Sequence, residues 1–228
     1  MEQVTSSPEI PPTSADSGAT TRARLLEAAG EVFAERGFRN ATVRDICARA
    51  GANIAAINYY FQGKDSLYLH VVEYAQQRTQ ESRPIIVDAA AEPREQLRQF
   101  LVSFVARVLD PAGPAWHAKL MLREMVEPTP ALDRVVTTSI RPTFEALTSI
   151  IARIAPGLSE HEARLCASSV LGQCLVHRHC QPVMRRLFPE QGSTGEDLER
   201  LAEHVYRFSL AGLTALGADG PARGGRPR

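Results

Sequence analysis

ATVRDICARAGANIAAINYYFQGK, residues Ala41–Lys64, decides how the rest of the chain is read. Thr42 and Asp45 stand at capping-box spacing, with Asp in place of the usual Glu. Val43, Ile46, Cys47 and Ala50 then fall on one helical face, and Gly51 ends the helix. In the turn Ala50-Gly51-Ala52-Asn53, Gly supplies the left-handed conformation and the small Ala lets two helices approach closely. Asn53 suits the N-cap of a third helix. At 3.6 residues per turn, Ile54, Ile57 and Phe61 share its inward arc. Ala55, Ala56, Tyr59 and Tyr60 point away, with Asn58 at the border. Two alanines and two tyrosines make a poor solvated surface. They suit a helix that enters a DNA groove, where Ala meets a thymine methyl and Tyr a phosphate or sugar. A hairpin that only closes a core is the other use of such a pattern.

Upstream, TTRARLLEAAGEVFAERG (Thr20–Gly37) places Leu25, Leu26, Ala29, Val32 and Phe33 on one face, and Gly37 stops that helix. Gly63 breaks the third helix, and a longer one runs from Lys64 towards Glu81, where Pro84 blocks continuation. Three helices with a tight turn between the second and third form the helix-turn-helix plan. Pro93 opens a helix reaching Leu109, and DPAGP separates it from a helix over Ala115–Val126. A long helix covers Ala131–Ile154, with Pro142 predicting a kink. Ser159 with Glu162, and Ser193 with Glu196, predict capping boxes for helices reaching His179 and Leu216. The pattern amounts to about nine helices without strand alternation, an all-α chain in two domains. Residues 1–18 and 217–228 read as disordered tails, 19–66 as a helix-turn-helix domain, and 67–216 as a helical regulatory and dimerisation bundle.

The 228 residues are 44% hydrophobic and 23% charged, with 26 bases against 26 acids, ordinary for a globular protein. No apolar run approaches the roughly 20 residues of a membrane span. No basic-then-apolar leader stands at the start, so a cytoplasmic protein is expected. Cys47, Cys166, Cys174 and Cys180 sit inside helical patterns and read as free thiols. Neutral overall charge leaves DNA open, because a local patch decides that matter. Between Thr20 and Asp65 the bases Arg22, Arg24, Arg36, Arg39, Arg44, Arg49 and Lys64 outnumber five acids. No nucleophile–base–acid spacing or phosphate loop stands out, so neither enzyme nor cofactor is expected.

Residues Thr20 to about Val72 resemble, without a gap, the DNA-binding domain of TetR-family transcriptional regulators. The shared pattern is a first helix ending in ERGF, then ATVRDI followed by RAG, a short helix ending in YF, and Lys64-Asp65 with Leu67. GANIAAINYYF, KLMLREMVEPTPALDRVV and GQCLVHRHCQPVMRRL are similar to the CecR-like subgroup. The resemblance implies that Thr42 binds a phosphate and Arg44 reaches a base edge through its two-pronged guanidinium. It implies that Asn53, Ala55, Ala56, Asn58 and Tyr59 meet the major groove, and that Tyr60 and Lys64 hold the backbone. Arg22 and Arg24 would touch the flanking minor groove. Two departures stand out: Asn58 replaces a usual Tyr, so operator preference cannot be carried over, and Cys47 replaces a common Ala.

The same resemblance implies that the second domain dimerises and binds a small-molecule inducer, giving a repressor that occupies a palindromic operator. Small residues on two late helices (Ser169, Gly172, Gln173; Ala211, Gly212, Ala215) suit close helix packing, between two copies or within one chain. Phe104, Trp116, Met121, Arg123, Met125 and Phe144 are candidate pocket residues or plain core, and Arg123 with Glu124 are pocket polars or a buried pair. Cys174, His177, His179 and Cys180 put four potential metal ligands into seven residues. A metal- or thiol-sensing protein built on them is the competing reading. One continuous helix rarely supplies a complete tetrahedral set, so no bound metal is expected.

Overall fold

A computed structural model describes residues 14–109, 114–189 and 194–218. They divide into two compact units, Met1–Tyr74 and Ala75–Arg228. The first holds helices α1 (Ser14–Asn40), α2 (Val43–Ala50), α3 (Ile54–Phe61) and the start of α4 (Lys64–Ser82). The second continues with α5 (Pro93–Leu109), α6 (Ala115–Val126), α7 (Ala131–Val135), a π-helical turn (Val136–Ile140) and α8 (Arg141–Ile154). Then come α9 (Glu160–His179), α10 (Gln181–Leu187) and α11 (Gly195–Ala218). The described residues contain no strand. None of their helices is long and apolar enough to cross a membrane.

In the first unit, Leu25, Leu26, Ala29, Val32 and Phe33 are buried, as their helical spacing requires. Gly37 interrupts α1 at φ 77°, a conformation that costs an L-residue strain, and one further turn reaches Asn40. The helix starts at Ser14, inside the stretch read as a tail; residues 1–13 and 219–228 lie outside the described residues. Leu67, Tyr68, Val71 and Val72 of α4 are buried. Tyr68 meets Phe33 edge-on at 4.8 Å and Phe38 at 4.9 Å. These contacts carry the first unit to Tyr74, eight residues past the boundary read from the motifs.

In the second unit α5 packs against α11, α8 and α9, around Phe100, Leu101, Val105, Leu147, Ile151, Ala167, Val170 and Leu213. At Pro142 the long helix takes up the missing N–H with a π-helical turn just before it. The Pro ring crowds the carbonyl four residues back, and widening the preceding turn relieves that contact. Thr137 and Thr138 donate their hydroxyls to the carbonyls of Asp133 and Arg134, each at 2.8 Å. Helix α10 has no counterpart in the sequence reading, which ends the preceding helix at His179; Pro182 sits in its first helical turn, a position that proline favours. At α11 the described cap is Thr194. Thr194 donates its hydroxyl to Asp197 at 2.7 Å and accepts the Asp197 N–H at 3.3 Å. Glu196 instead pairs with Arg200 at 2.6 Å, and Ser193 lies outside the described residues.

Candidate nucleic-acid interface

Both helices of the turn motif are capped by their own side chains. Thr42 accepts the Asp45 N–H at 3.1 Å, and its hydroxyl donates to the Asp45 carboxylate at 2.7 Å. Hydrogen bonding by Thr42, and then the charge of Arg36 at 2.5 Å, lowers the Asp45 pKa. Gly51 closes α2 in the left-handed conformation at φ 60°, and its N-cap successor Asn53 accepts the Ala56 N–H at 2.9 Å. Helix α3 ends at Gln62, also left-handed at φ 61°, one residue before the Gly63 expected to break it.

Exposure divides α3 sharply. Ile57 and Phe61 are fully buried. Ala55 and Asn58 are exposed, Ala56 and Tyr60 half-buried, and Tyr59 is 82% exposed with its ring edge-on to Tyr60 at 4.9 Å. Ile54, read as inward, is 50% exposed. It stands one turn before Asn58, so Ile54, Ala55, Asn58 and Tyr59 span an arc of roughly 140° on one side. A large aromatic and a branched aliphatic left in water on one helical face are the kind of exposed apolar patch that marks an interaction site.

The bases of this unit sort by what they touch. Arg49 forks onto Glu35 at 2.8–2.9 Å, and Arg36 is taken by Asp45. Arg24, read as a groove contact, donates to the carbonyls of Ala50 and Gly51 at 2.8 and 3.4 Å, pinning the turn to α1. Arg24→Ala should therefore lower first-unit stability by about 1 kcal/mol, the net worth of an ordinary hydrogen bond, because solvent weakens the charge contribution of an exposed side chain. Sequence preference should stay unchanged, a split readable by thermal melting beside binding-site selection. Lys64 is half-buried, donating to the Arg39 carbonyl at 3.2 Å and lying 4.7 Å from the Phe38 ring centre. Arg22 stacks over Phe61 at 5.4 Å. Arg44 is exposed. Among the described residues, Arg22, Arg39 and Arg44 form no ion pair, so the small basic excess is left available.

The other candidate residues lie in the second unit. Ser169, Gly172, Ala211, Gly212 and Ala215 are exposed, and Gln173 donates to Ser209 across α9 and α11 at 3.3 Å. Exposed Leu165 and Val176 extend the α9 row, and exposed Phe208 and Leu216 the α11 row; their helical spacing was the signal available in the sequence. The six pocket candidates do not converge. Phe104 stacks on Phe100 in the core at 5.7 Å. Trp116 is buried against the edge of His117. Met121 accepts a bond from Gln76, Phe144 packs on the core, Arg123 is half-buried, and Met125 is 46% exposed. Glu124 is buried and accepts from the Thr129 hydroxyl at 3.1 Å. An open cleft of about 700 Å³ lies elsewhere, between α5 and α8, and none of the six lines it.

The cysteine–histidine cluster is spread by its helix. Cys174 is fully buried, and burial pushes its thiol up to about 12. His177 is half-buried, His179 exposed, and Cys180 sits at the junction of α9 and α10. Among the described residues, no three His, Cys, Asp or Glu side chains are grouped as a metal ion requires.

Comparison with known proteins agrees with this geometry. Residues 25–71 match the bacterial regulatory proteins of the tetR family. Residues 93–213 match the C-terminal domain of the HTH-type transcriptional dual regulator CecR. The CecR protein of Shigella flexneri is 31% identical over 173 residues, covering 71% of this chain and 77% of that one. A TetR-like transcriptional regulator from Rhodococcus sp. RHA1 superposes with a TM-score of 0.58 at 22% identity, over 90% of this chain and all of the other. A TetR-family regulator from Streptomyces coelicolor gives 0.59 at 17% identity, over 86% and 97%. The chain belongs to the TetR family of DNA-binding transcription regulators, of the CecR-like type.

Proposed function

We propose that the protein is a ligand-responsive repressor that binds a palindromic operator as a homodimer in the cytoplasm. The observation that carries the reading is the α3 face, where Ile54, Ala55, Asn58 and Tyr59 are exposed while Ile57 and Phe61 anchor the helix from behind. One such helix reads few base pairs, so two must stand about 34 Å apart to enter successive major-groove faces. The exposed rows on α9 and α11 are the surface proposed to pair two copies. A small molecule that favours a conformer with another helix spacing would release the operator, by as much as its affinities for the two conformers differ. Helix α4, which continues from the first unit into the second, is the proposed lever.

Site selection from random duplexes, followed by the mass of the protein–DNA complex, tests this reading. A palindrome bound by protomers in even number is the expected result; a single unsymmetrical half-site bound by one protomer would defeat it. Arg44 is proposed to contact a base, with Thr42, Asn53 and Tyr60 on the groove walls and backbone. Lys64 has a structural duty on Arg39 and a proposed one on a phosphate. Lys64→Ala should weaken binding to all duplexes alike and reduce the salt slope by about one ion, measured by anisotropy at several salt concentrations. An unchanged slope would leave Lys64 with the structural duty alone.

A further inference from the structure

We propose that the cleft between α5 and α8 binds a small amphipathic anion, an apolar chain ending in one carboxylate or phosphate, with Arg107 holding the head group. This rests on the reading of the protein as ligand-responsive and names the class of ligand.

The cleft lies wholly in the second unit. Its walls are α5, the π-helical turn with α8, and the segment 84–89. That segment is held on α5 by side chains: Ser103 accepts the Ile86 N–H at 3.2 Å, and Gln99 accepts the Asp88 N–H at 2.8 Å. Ile85, Val87, Phe100 and Ile150 give it an apolar floor. Among the described residues that line it none is acidic, while two are arginines, in a chain whose acids and bases are equal in number. Such a lining favours an anion over a cation and leaves room for an apolar body.

The arginines are not equivalent. Arg153 donates to the side-chain carbonyl of buried Gln96, which places the C-terminal end of α8 beside the N-terminal part of α5. Arg107 lies about 16 Å further along α5, and the π-helical turn contributes Thr138 and Ser139 to the same lining. Arg107 is half-buried. Its Nε donates to the Arg83 carbonyl at 2.7 Å, and among the described residues no carboxylate pairs with it. Burial lowers its pKa. A partly desolvated guanidinium is costly to leave unpaired, and an anion able to accept its terminal N–H groups in parallel relieves that cost. Ser139 and Thr143 add hydroxyl donors to the lining. A π-helical turn in the wall fits the frequent use of such turns at binding sites.

The test uses the full-length protein, titrated calorimetrically with decanoate, decyl phosphate, methyl decanoate and decylamine. Operator binding is measured in parallel. At least one of the anions should bind once per protomer, about tenfold or more tighter than the neutral ester or the amine, as expected for one charge-assisted contact. The tighter of the two identifies the head group. Arg107→Gln should reduce the favoured anion to the level of the ester, Arg107→Lys should retain part of the preference, and Ala146→Trp should block all four by filling the cleft. Ester binding equal to that of both anions, an anion preference that survives Arg107→Gln, or no binding of either anion would overturn the proposal. If anion binding fails while the operator is still bound, the DNA reading stands and the ligand assignment falls. If the anion binds without altering operator affinity, the site stands and the ligand-response reading falls.

Discussion

Gly172→Trp should separate the proposed dimer while leaving the protomer folded. A Cβ built at Gly172 meets nothing within 4 Å, and the same holds at Gly212, so neither glycine is required by packing inside one chain. Both lie in exposed rows of small and apolar residues, Leu165, Ser169, Gly172 and Val176 on α9 and Phe208, Gly212, Ala215 and Leu216 on α11. If two copies meet there, an indole at position 172 holds the helices apart. Helical content should stay constant by circular dichroism, while sedimentation gives a monomer. Operator affinity should fall on the order of 10²-fold or more, because the second half-site no longer binds as part of one molecule. Gly212→Trp on the neighbouring helix should behave in the same way. A variant that remains dimeric with full affinity would move the interface elsewhere.

Arg44→Ala carries the second large effect. The side chain is exposed on α2, opposite the buried Ile46, Cys47 and Ala50, so its loss opens no cavity and leaves no buried group unpaired. A guanidinium held on a guanine contributes about 1–3 kcal/mol of discrimination. Specific affinity should fall by that amount, with one base pair per half-site losing its preference and non-specific binding changing little. Competition between the selected operator and single-base variants separates these effects. A uniform loss over all sequences would make Arg44 a phosphate contact.

Much of the fold was legible because its signals are local. The Thr42–Asp45 box, the Asn53 cap and the Gly51 turn each depend on a few adjacent residues, and the structure has them at those positions. At α11, Ser193–Glu196 and Thr194–Asp197 satisfy the same spacing; the second pair bonds, and Ser193 lies outside the described residues. Ile54 shows the limit of a helical wheel. At the first turn of an eight-residue helix, the neighbouring elements decide which flank is covered, and here the core stops at Ile57 and Phe61. Arg24 looked like a groove contact from its place in the chain, yet its acceptors are carbonyls 26 and 27 residues away. The cleft was hidden for a related reason. Apolar periodicity finds residues such as Phe104 and Trp116 that fill a core, whereas Arg107, Thr138 and Ser139 come together only through helix packing and a π-helical turn.

In the proposed binding mode α3 reads DNA twice, once from each protomer. The most direct measurement is binding-site selection on the wild type and on Asn58→Ala in parallel. Asn58 lies on the exposed arc with Ile54, Ala55 and Tyr59, so the expected site is a palindrome with half-site centres about one helical turn apart, or a multiple of it. In the variant, preference should be lost at one base pair in each half-site, at symmetric positions. A selected site without two-fold symmetry, or an Asn58 variant with an unchanged preference at every position, would contradict it.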